Sequence, residues 1–332
     1  TVPFDIEEQA SFVQDCKAFY KETSFYKLII PELLYGLKDK SWVAEYYLVK
    51  NDLLVFEDLK SRNFSIKSAH LNLSVLKSGL TALSKLHGST LLAEKRLGKS
   101  FGQIYSEQLQ ESLFVRESKV YEWFSTSVNV FVAIAKQLKL DHTCIPKVYD
   151  RIFEFIKASK TRRNVICHGD CKSYNYLFDD SRPIPKCVIV DFQLVRYVPA
   201  IIDVLQLMYL TTRRKFRDDN EKLLLKHYHE VLCKFMRDHD EEMDVPKLTD
   251  VLQEYEETSA VGLIMSALYS PINLIDTTLC ADLTQNSDGF AKVFFKERDH
   301  FVLDLMEKDA FYKDVLNEIV SEMVQKSKHF LK

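Results

Sequence analysis

The start of the chain combines one helical pattern with two strand patterns. Residues 5–29 carry apolar side chains at near-helical spacing, and the pattern stops before Pro31, so it predicts a helix. Two runs rich in β-branched and aromatic residues follow, SWVAEYYLV and LLVFEDL, and the polar turn 50–52 between them predicts a β-hairpin. We therefore expect a small helix-plus-sheet unit here.

The remainder of the chain has mainly helical patterns, with a short interval of strands. Helical periodicity recurs over residues 71–87, 108–139 and 146–159, and it extends from Pro199 to the end of the chain. The runs VICHGD, YLFDD and KCVIVDF predict three strands, because they are short, apolar and bounded by turn residues. No internal repeat or long linker separates these segments, so we expect two parts packed around one cleft.

Composition and charge disfavour several function classes. The 332 residues include 45 basic and 48 acidic side chains, which gives a net charge of −3. A chain so close to neutral has no general attraction for nucleic acid or for anionic membranes, so neither is an expected partner. A membrane-spanning helix needs about 18 consecutive apolar residues, and no run in the sequence approaches this length. The acidic start TVPFDIEEQ lacks the basic and apolar regions of a signal peptide. A small-molecule substrate and a monomeric state are expected.

The cysteines indicate a reducing, cytoplasmic compartment. Their number is odd, and none forms a C-x-x-C pair, so neither a disulfide framework nor a zinc ribbon is favoured. Cys167, His168 and Cys171 are neighbours, but three soft ligands, one of them expected to point inward from a strand, give little support for zinc. The seven cysteines are Cys16, Cys144, Cys167, Cys171, Cys187, Cys233 and Cys280.

The segment 165–203 carries the candidate chemistry. It contains H-G-D ending at Asp170, then Asn175, then a strand that ends in D-F-Q at Asp191, and finally Asp203 at the start of a helix. Phosphoryl transfer from ATP needs magnesium ligands, a positioned acceptor hydroxyl and a charge clamp. Asp170 can accept the hydroxyl proton, and Asn175 and Asp191 offer hard oxygen ligands. The spacing matches the protein-kinase pattern H-R-D-x-x-x-x-N followed by D-F-G.

These motifs resemble those of known small-molecule kinases. H-G-D, D-F-Q and the later aspartate resemble the aminoglycoside and choline phosphotransferase branch of the kinase-like fold. D-F-Q, VFEDL and the helix signature F-Y-K-E-x-x-F-Y resemble the insect ecdysteroid kinase-like family, with similarity of pattern from about Phe19 to Leu210. The resemblance implies transfer of the ATP γ-phosphoryl group, with Mg²⁺, to a hydroxyl of an apolar acceptor such as an ecdysteroid.

The resemblance also implies a fold and a division of the chain. The fold would be a bilobal, protein-kinase-like α+β fold with an apparently truncated N-terminal lobe and a large, mostly helical C-terminal lobe. The first lobe would cover residues 1–60 and end in a hinge at 57–60, and the second would cover residues 61–332. The catalytic loop would be 168–175 and the metal-binding D-F-Q would be 191–193.

Roles follow residue by residue from the same resemblance. Asp170 would be the catalytic base, with Asn175 and Asp191 as magnesium ligands. Lys172 stands where the family usually has tryptophan, but protein kinases have a phosphate-contacting lysine there, so it is a candidate charge clamp. The implied binding and structural residues are Glu22 as the partner of a phosphate-gripping lysine, Glu57, Asp58 and Leu59 as the adenine-binding hinge, and His168 and Asp203 as braces of the catalytic loop.

Several departures keep alternatives open. No lysine in a strand context precedes Glu22 and the first glycine is Gly36, so the phosphate lysine and glycine-rich loop would lie upstream of Thr1. An incomplete chain is the favoured interpretation, ahead of a cleaved chain or a pseudokinase that binds without turnover. Tyr174 replaces a common asparagine of the family, and a choline- or aminoglycoside-type kinase remains an alternative within the class. His87 is expected to end a helix and face carbonyls rather than take part in catalysis.

Overall fold

The computed structural model describes residues 7–50, 53–118, 120–284 and 287–331. This part of the chain is mostly helical and has three small antiparallel sheets, so the predicted α+β class is confirmed. The helices are α1 (Glu7–Asp15), α2 (Ala18–Ser24), α3 (Ile30–Leu34), α4 (Leu73–Leu97), α5 (Phe101–Ile104), α6 (Val120–Gln137), α7 (Ile145–Asp150), α8 (Ile152–Phe155), α9 (Ile201–Thr211), α10 (Arg214–His239), α11 (Leu248–Thr258), α12 (Ala260–Asn273), α13 (Thr277–Thr284), α14 (Ser287–Phe294), α15 (Arg298–Lys308) and α16 (Ala310–Phe330). The strands are β1 (Tyr46–Val49), β2 (Leu54–Phe56), β3 (Ser65–Ile66), β4 (Asn164–Cys167), β5 (Tyr176–Asp179), β6 (Lys186–Ile189) and β7 (Arg196–Pro199).

The helix predicted over residues 5–29 is interrupted twice. Lys17 has a left-handed backbone (φ +51°) between α1 and α2, and a π-helical turn, Phe25–Ile29, joins α2 to α3. The predicted end before Pro31 is wrong, because Pro31 lies in the first turn of α3, where a missing backbone N–H costs no helical hydrogen bond. Residues 5 and 6 lie outside the described residues.

The predicted hairpin is confirmed as β1 and β2. The strands pair antiparallel, with Tyr46 opposite Phe56 and Val49 opposite Leu54, and the register shifts between Tyr46 and Leu48. Residues 51 and 52 of the predicted turn lie outside the described residues. Because β2 ends at Phe56, the predicted hinge follows the hairpin directly.

The other two sheets support the loops that carry the candidate chemistry. One has the order β3-β5-β6, and in the other β4 pairs with β7. The strands predicted from VICHGD, YLFDD and KCVIVDF are confirmed as β4, β5 and β6. The short β3 and β7 were not predicted, because each is held by a strand that is distant in sequence rather than by a pattern of its own.

Three helical segments have other bounds than predicted. Asn72 caps α4 through a 3.0 Å hydrogen bond from Val75 N to its side chain, and the helix continues past residue 87 to Leu97. Within 108–139 only α6 is helical, because residues 105–118 form turns. The segment 146–159 contains the short α7 and α8. The helices predicted after Pro199 are confirmed as α9 to α16.

The chain divides into two compact units. One consists of Thr1–Ala18, Ser112–Ile156 and Ser259–Lys332, and the other consists of Phe19–Glu111 and Lys157–Thr258. Among the described residues, the first unit has helices but no strands, and the second contains strands β1 to β7 and every candidate site residue. The lobe boundary near residue 60 stays a prediction. Among the described residues, no helix is both long and apolar enough to cross a membrane.

Candidate active site

A tight backbone turn follows β4 and positions Asp170. Gly169 has φ +83°, and a Cβ on this residue would lie 2.2 Å from the carbonyl oxygen of Leu194. Only glycine therefore fits at this second position of the loop 168–175. The turn directs Asp170 into the interior, where 1% of the residue is exposed.

Two residues of α9 hold the backbone of this loop. The fully buried Asp203 carboxylate accepts hydrogen bonds from the backbone N–H groups of His168 (2.5 Å) and Gly169 (3.1 Å). One helical turn later, Gln206 Oε1 accepts from Cys171 N at 3.1 Å. Burial alone raises the pKa of Asp203, but its hydrogen bond to His87 and the nearby histidines outweigh burial and lower the pKa. The loop is thus fixed by an ionised carboxylate and an amide.

His168 braces the loop through hydrogen bonds as well as packing. Its Nε2 lies 2.9 Å from the carbonyl oxygen of Val190, and its Nδ1 lies 3.2 Å from Asp170 N. Because the carbonyl accepts and the amide donates, Nε2 carries the proton of the neutral ring. The ring also packs edge-on against Phe192, with centroids 4.9 Å apart. His168 therefore connects the catalytic loop to the D-F-Q segment.

The Asp170 carboxylate has one engaged oxygen and one unengaged oxygen. Asn175 Nδ2 (2.9 Å) and Lys172 Nζ (2.8 Å) both contact Oδ2. Among the described residues Oδ1 is buried and has no hydrogen-bond partner. Burial raises the pKa of Asp170, but the charge of Lys172 together with the hydrogen bonds from Lys172 and Asn175 lowers it overall. The group is an ionised carboxylate with an oxygen available to a proton or to a cation.

Asp191 follows β6 in a left-handed conformation, with φ +68°. Gln193 Nε2 donates to its Oδ2 at 3.1 Å, and Val190 N donates to Asn175 O at 3.0 Å, which fixes the two predicted metal-ligand segments side by side. Burial and then the Asp170 charge raise the pKa of Asp191. The Asp191 carboxylate and the Asn175 amide oxygen are hard ligands, and the Asp170 carboxylate adds a second negative charge beside Asp191. These residues therefore fit Mg²⁺.

Glu22 reaches the same segment from α2. Its Oε1 accepts a hydrogen bond from Phe192 N at 3.2 Å, and the ring of Phe25 stacks on Phe192 with centroids 4.2 Å apart. Burial and the Asp191 charge raise the pKa of Glu22 to about 7. The Glu22 carboxylate is thus bound by a backbone N–H among the described residues, whereas the resemblance implies a lysine as its partner.

An apolar cavity of about 490 Å³ extends from the predicted hinge to Asp191. Glu57, Asp58 and Leu59 line one part of it. Glu57 N donates to Glu45 O at 2.9 Å, which ties the hinge to the chain before β1, and Asp58 accepts from Lys60 N at 3.0 Å. The apolar lining residues are Tyr26, Ala44, Phe56, Leu59, Phe64, Ile66, Leu177 and Val190. The hinge residues and a predicted metal ligand therefore share one cavity.

Comparison with known proteins identifies the family. A family model described as the ecdysteroid kinase-like family matches residues 1–241 of the 332. The chain belongs to this family. The predicted resemblance to this family is thereby confirmed. A search among curated proteins gives no match.

A search of solved structures finds matches that include an ethanolamine kinase of Plasmodium vivax and an aminoglycoside phosphotransferase with bound ADP. The first has 14% identity and a TM-score of 0.42, with 84% of this chain and 73% of that chain covered. The second has 13% identity and a TM-score of 0.34, with 83% and 84% covered. At these TM-scores the two structures do not support any assignment, and the assignment rests on the family model alone.

This ecdysteroid kinase-like chain also has site residues that were not predicted. His87 lies within α4, not at a helix end, and its Nε2 is 3.3 Å from Asp203 Oδ2 while Nδ1 is 2.8 Å from Tyr228 OH. The expectation of a helix-end histidine is therefore wrong, because the helical pattern continues beyond it. Gln206 could have been found from its position one turn after Asp203. Gln193 could have been found because D-F-Q has a hydrogen-bonding side chain where D-F-G has none.

Proposed function

We propose that this member of a small-molecule kinase family uses ATP and Mg²⁺ to phosphorylate a hydroxyl of an apolar acceptor such as an ecdysteroid. The observation that carries the proposal is the shared cavity, in which hinge residues and Asp191 line one apolar volume. The buried Oδ1 of Asp170, with no described hydrogen-bond partner, is the second support. Together they supply a nucleotide pocket and a base.

The cavity has the composition expected for a purine base. Its lining combines apolar side chains such as Leu59, Leu177 and Val190 with the hinge residues. We infer that adenine binds in this part. The phosphates then extend toward Asp191, at the end of the cavity where the predicted metal ligands begin.

The residues around Asp170 fit phosphoryl transfer. Asn175 and Asp191 would hold Mg²⁺, which when bound supplies neutralising charge to the phosphate oxygens. Asp170 accepts the proton of the acceptor hydroxyl through Oδ1, while Asn175 and Lys172 hold its other oxygen. Lys172 also lies in the field of Asp191, and it serves as the charge clamp.

Family membership supports an apolar alcohol as the acceptor. A choline- or aminoglycoside-type kinase needs acidic or cage-forming aromatic groups for a cationic acceptor, so the acceptor preference separates the two classes. We further infer a cytosolic protein acting on its small-molecule substrate as a monomer. The odd number of cysteines and the lack of a C-x-x-C pair support a reducing compartment.

A second candidate function is nucleotide binding without efficient turnover. The observation that favours it is the contact of Glu22, whose carboxylate accepts a backbone N–H of Phe192. Among the described residues no lysine pairs with this carboxylate, and a glutamate–lysine pair is what orients a lysine toward the α- and β-phosphates. In this case magnesium-dependent nucleotide binding is retained and phosphoryl transfer is very slow.

One experiment separates these functions. The protein is incubated with Mg²⁺ and ATP labelled in the γ-phosphate, together with a hydroxylated steroid, choline or an aminoglycoside. Label in the steroid supports the proposal, and label in choline or the aminoglycoside identifies the alternative within the class. Tight magnesium-dependent binding of ATP without label in any acceptor, or hydrolysis alone, supports the second candidate. Absence of nucleotide binding contradicts both functions.

A further inference from the structure

The residue before the proposed base is held at both of its backbone groups. Gly169 N donates to Asp203 Oδ1 at 3.1 Å, and Gly169 O accepts from Arg196 Nη2 at 3.2 Å. The Asp203 contact belongs to the predicted brace of the loop. The Arg196 contact comes from a strand and has no counterpart among the predicted roles. The two contacts thus hold the peptide planes on either side of Gly169, and the Arg196 contact holds the one that joins Gly169 to Asp170.

Arg196 is positioned for this contact by the β4–β7 pair. It lies opposite Cys167, the last residue of β4 before the catalytic loop, and 2% of it is exposed. Its Nη1 is 3.0 Å from Glu111 Oε2, an ion pair in which these two atoms are not aligned for a hydrogen bond, and its Nη2 donates to the loop carbonyl. The planar guanidinium therefore makes a charge contact with Glu111 and a directional hydrogen bond to the loop.

The segment that carries Glu111 is itself attached to α2. Lys21 Nζ donates to Gln110 O at 2.7 Å, and Lys21 is 2% exposed. Gln108 Nε2 donates to Tyr20 OH at 3.1 Å. Residues 108–111 lie in the turns that replaced a predicted helix, and these contacts give the turns a defined position. The position of Glu111 therefore depends on α2.

Helix α2 consequently touches both halves of the proposed chemistry. Glu22 contacts Phe192 N, next to the predicted metal ligand Asp191. Its neighbour Lys21 holds the segment whose Glu111 pairs with Arg196. Two adjacent residues of one helix thus lead by separate contacts to the D-F-Q segment and to the catalytic loop.

We infer that Arg196 and Glu111 are positioning residues for Asp170, and that they couple the catalytic loop to α2. The inference rests on the proposed function, since Asp170 acts there as the base. The pair does not contact the nucleotide cavity, whose lining contains neither residue. Its loss is therefore expected to lower kcat and to leave nucleotide affinity nearly unchanged, because a small displacement of a reacting group can cost about 10²-fold in rate.

The test uses Arg196→Lys, which keeps the charge and loses the planar fork, and Glu111→Gln, which keeps the shape and loses the charge. Glu32→Gln is the matched control, because Glu32 also pairs with an arginine, Arg96, but at a half-exposed site away from the loop. We expect kcat to fall by about 10-fold to 10²-fold in both variants, with KM for ATP and Kd for Mg-ADP within about 2-fold of the parent protein. The control keeps all three values.

The double variant tests whether the two residues act as one unit. If Glu111 acts through Arg196, the double variant loses no more activity than the more affected single variant. Independent, multiplied losses would overturn the coupling of the two residues. The positioning role would be overturned if the folded single variants had the same kcat as the parent protein. It would also be overturned if kcat fell only in proportion to the fraction of protein that is no longer folded.

Hydrogen exchange gives a measurement that does not depend on turnover. In both variants the amides of Gly169 and Asp170 are expected to exchange faster than in the parent protein, while the amides of α10 keep their rates. Unchanged exchange at the loop would overturn the inference even if activity falls. If the parent protein transfers no phosphate, the proposed function fails, and the exchange rates still decide whether Arg196 and Glu111 order the loop.

Discussion

Asp170 differs from an ordinary buried aspartate because its two oxygens have different surroundings. Oδ2 is held by Asn175 and Lys172, whereas Oδ1 has no hydrogen-bond partner among the described residues. Leaving such an atom unpaired in the interior costs free energy, so a ligand that uses it gains that free energy back. The residue is therefore arranged for a transient partner and not for stability.

Asp170→Asn should preserve nucleotide binding and abolish most of the turnover. The amide keeps the shape but cannot accept a proton, and general-base catalysis contributes about 10²-fold to 10⁴-fold. Single-turnover transfer of labelled phosphate measures the loss, and calorimetric titration with Mg-ADP measures binding. Asp238→Asn, in an exposed pair with Lys234, is the control and should keep both values. Activity equal to that of the parent would refute the role of Asp170.

Asp191→Ala should act on metal-dependent binding instead. Asp191 has an elevated pKa because it is buried beside Asp170, and a divalent cation would relieve this repulsion. Without its carboxylate, ATP should bind equally in the presence and absence of Mg²⁺. The measurement is the ratio of ATP dissociation constants with and without magnesium. A ratio that stays at the parental value would show that Asp191 is not a ligand.

At the scale of the elements, the turn after β4 depends on one glycine. Gly169 and Gly98 both have positive φ, +83° and +66°, but only Gly169 has atoms within 4 Å of an added Cβ. Substituting alanine at each of these two glycines therefore separates the free-energy cost of the backbone conformation from that of a steric clash.

Gly169→Ala should destabilise the protein more than Gly98→Ala. Both substitutions place an alanine in the left-handed region, which lowers the free energy of unfolding by about 1–2 kcal/mol. Gly169→Ala also introduces a clash with the carbonyl oxygen of Leu194. Chemical unfolding gives the two free energies, and phosphate transfer gives the effect on the loop. Gly98→Ala should keep full activity. Equal losses of stability would mean that the chain near Leu194 moves aside freely.

The sequence predicted the elements whose signals are local. H-G-D, Asn175 and D-F-Q have fixed spacing, and the strands around them are apolar runs bounded by turns, so their order along the chain was sufficient. The strand β7 and the turns over 105–118 were not predictable in this way. Arg196 contacts Glu111 and Gly169, and neither partner is near it in sequence, so no local pattern marks the contact.

At the scale of the whole molecule, the second unit contains a continuous series of buried polar contacts. Tyr228 of α10 contacts His87 of α4, His87 contacts Asp203 of α9, and Asp203 holds the loop. Such a network is stabilising only while every member is satisfied. Its integrity should therefore contribute to the stability of the unit as well as to the geometry of the site.

Asp203→Asn should change how stability depends on pH. The folded-state pKa of Asp203 is lowered, so its ionised form contributes stability that is fully present above the unfolded pKa of about 3.9 and is lost as pH falls through the folded pKa. Asparagine cannot ionise and makes no such contribution. The melting temperatures of the parent and variant should therefore differ by a constant amount above about pH 5 and converge in more acidic solution.

Thermal unfolding of both proteins between neutral and acidic pH measures this difference. Acid then weakens the parent because protonation of Asp203 removes the negative charge that strengthens its hydrogen bonds from His168 N and Gly169 N, while the variant never has this charge. A melting-temperature difference that stays constant down to the most acidic measurable pH would contradict the prediction. In that case the negative charge of Asp203 is not what stabilises the loop.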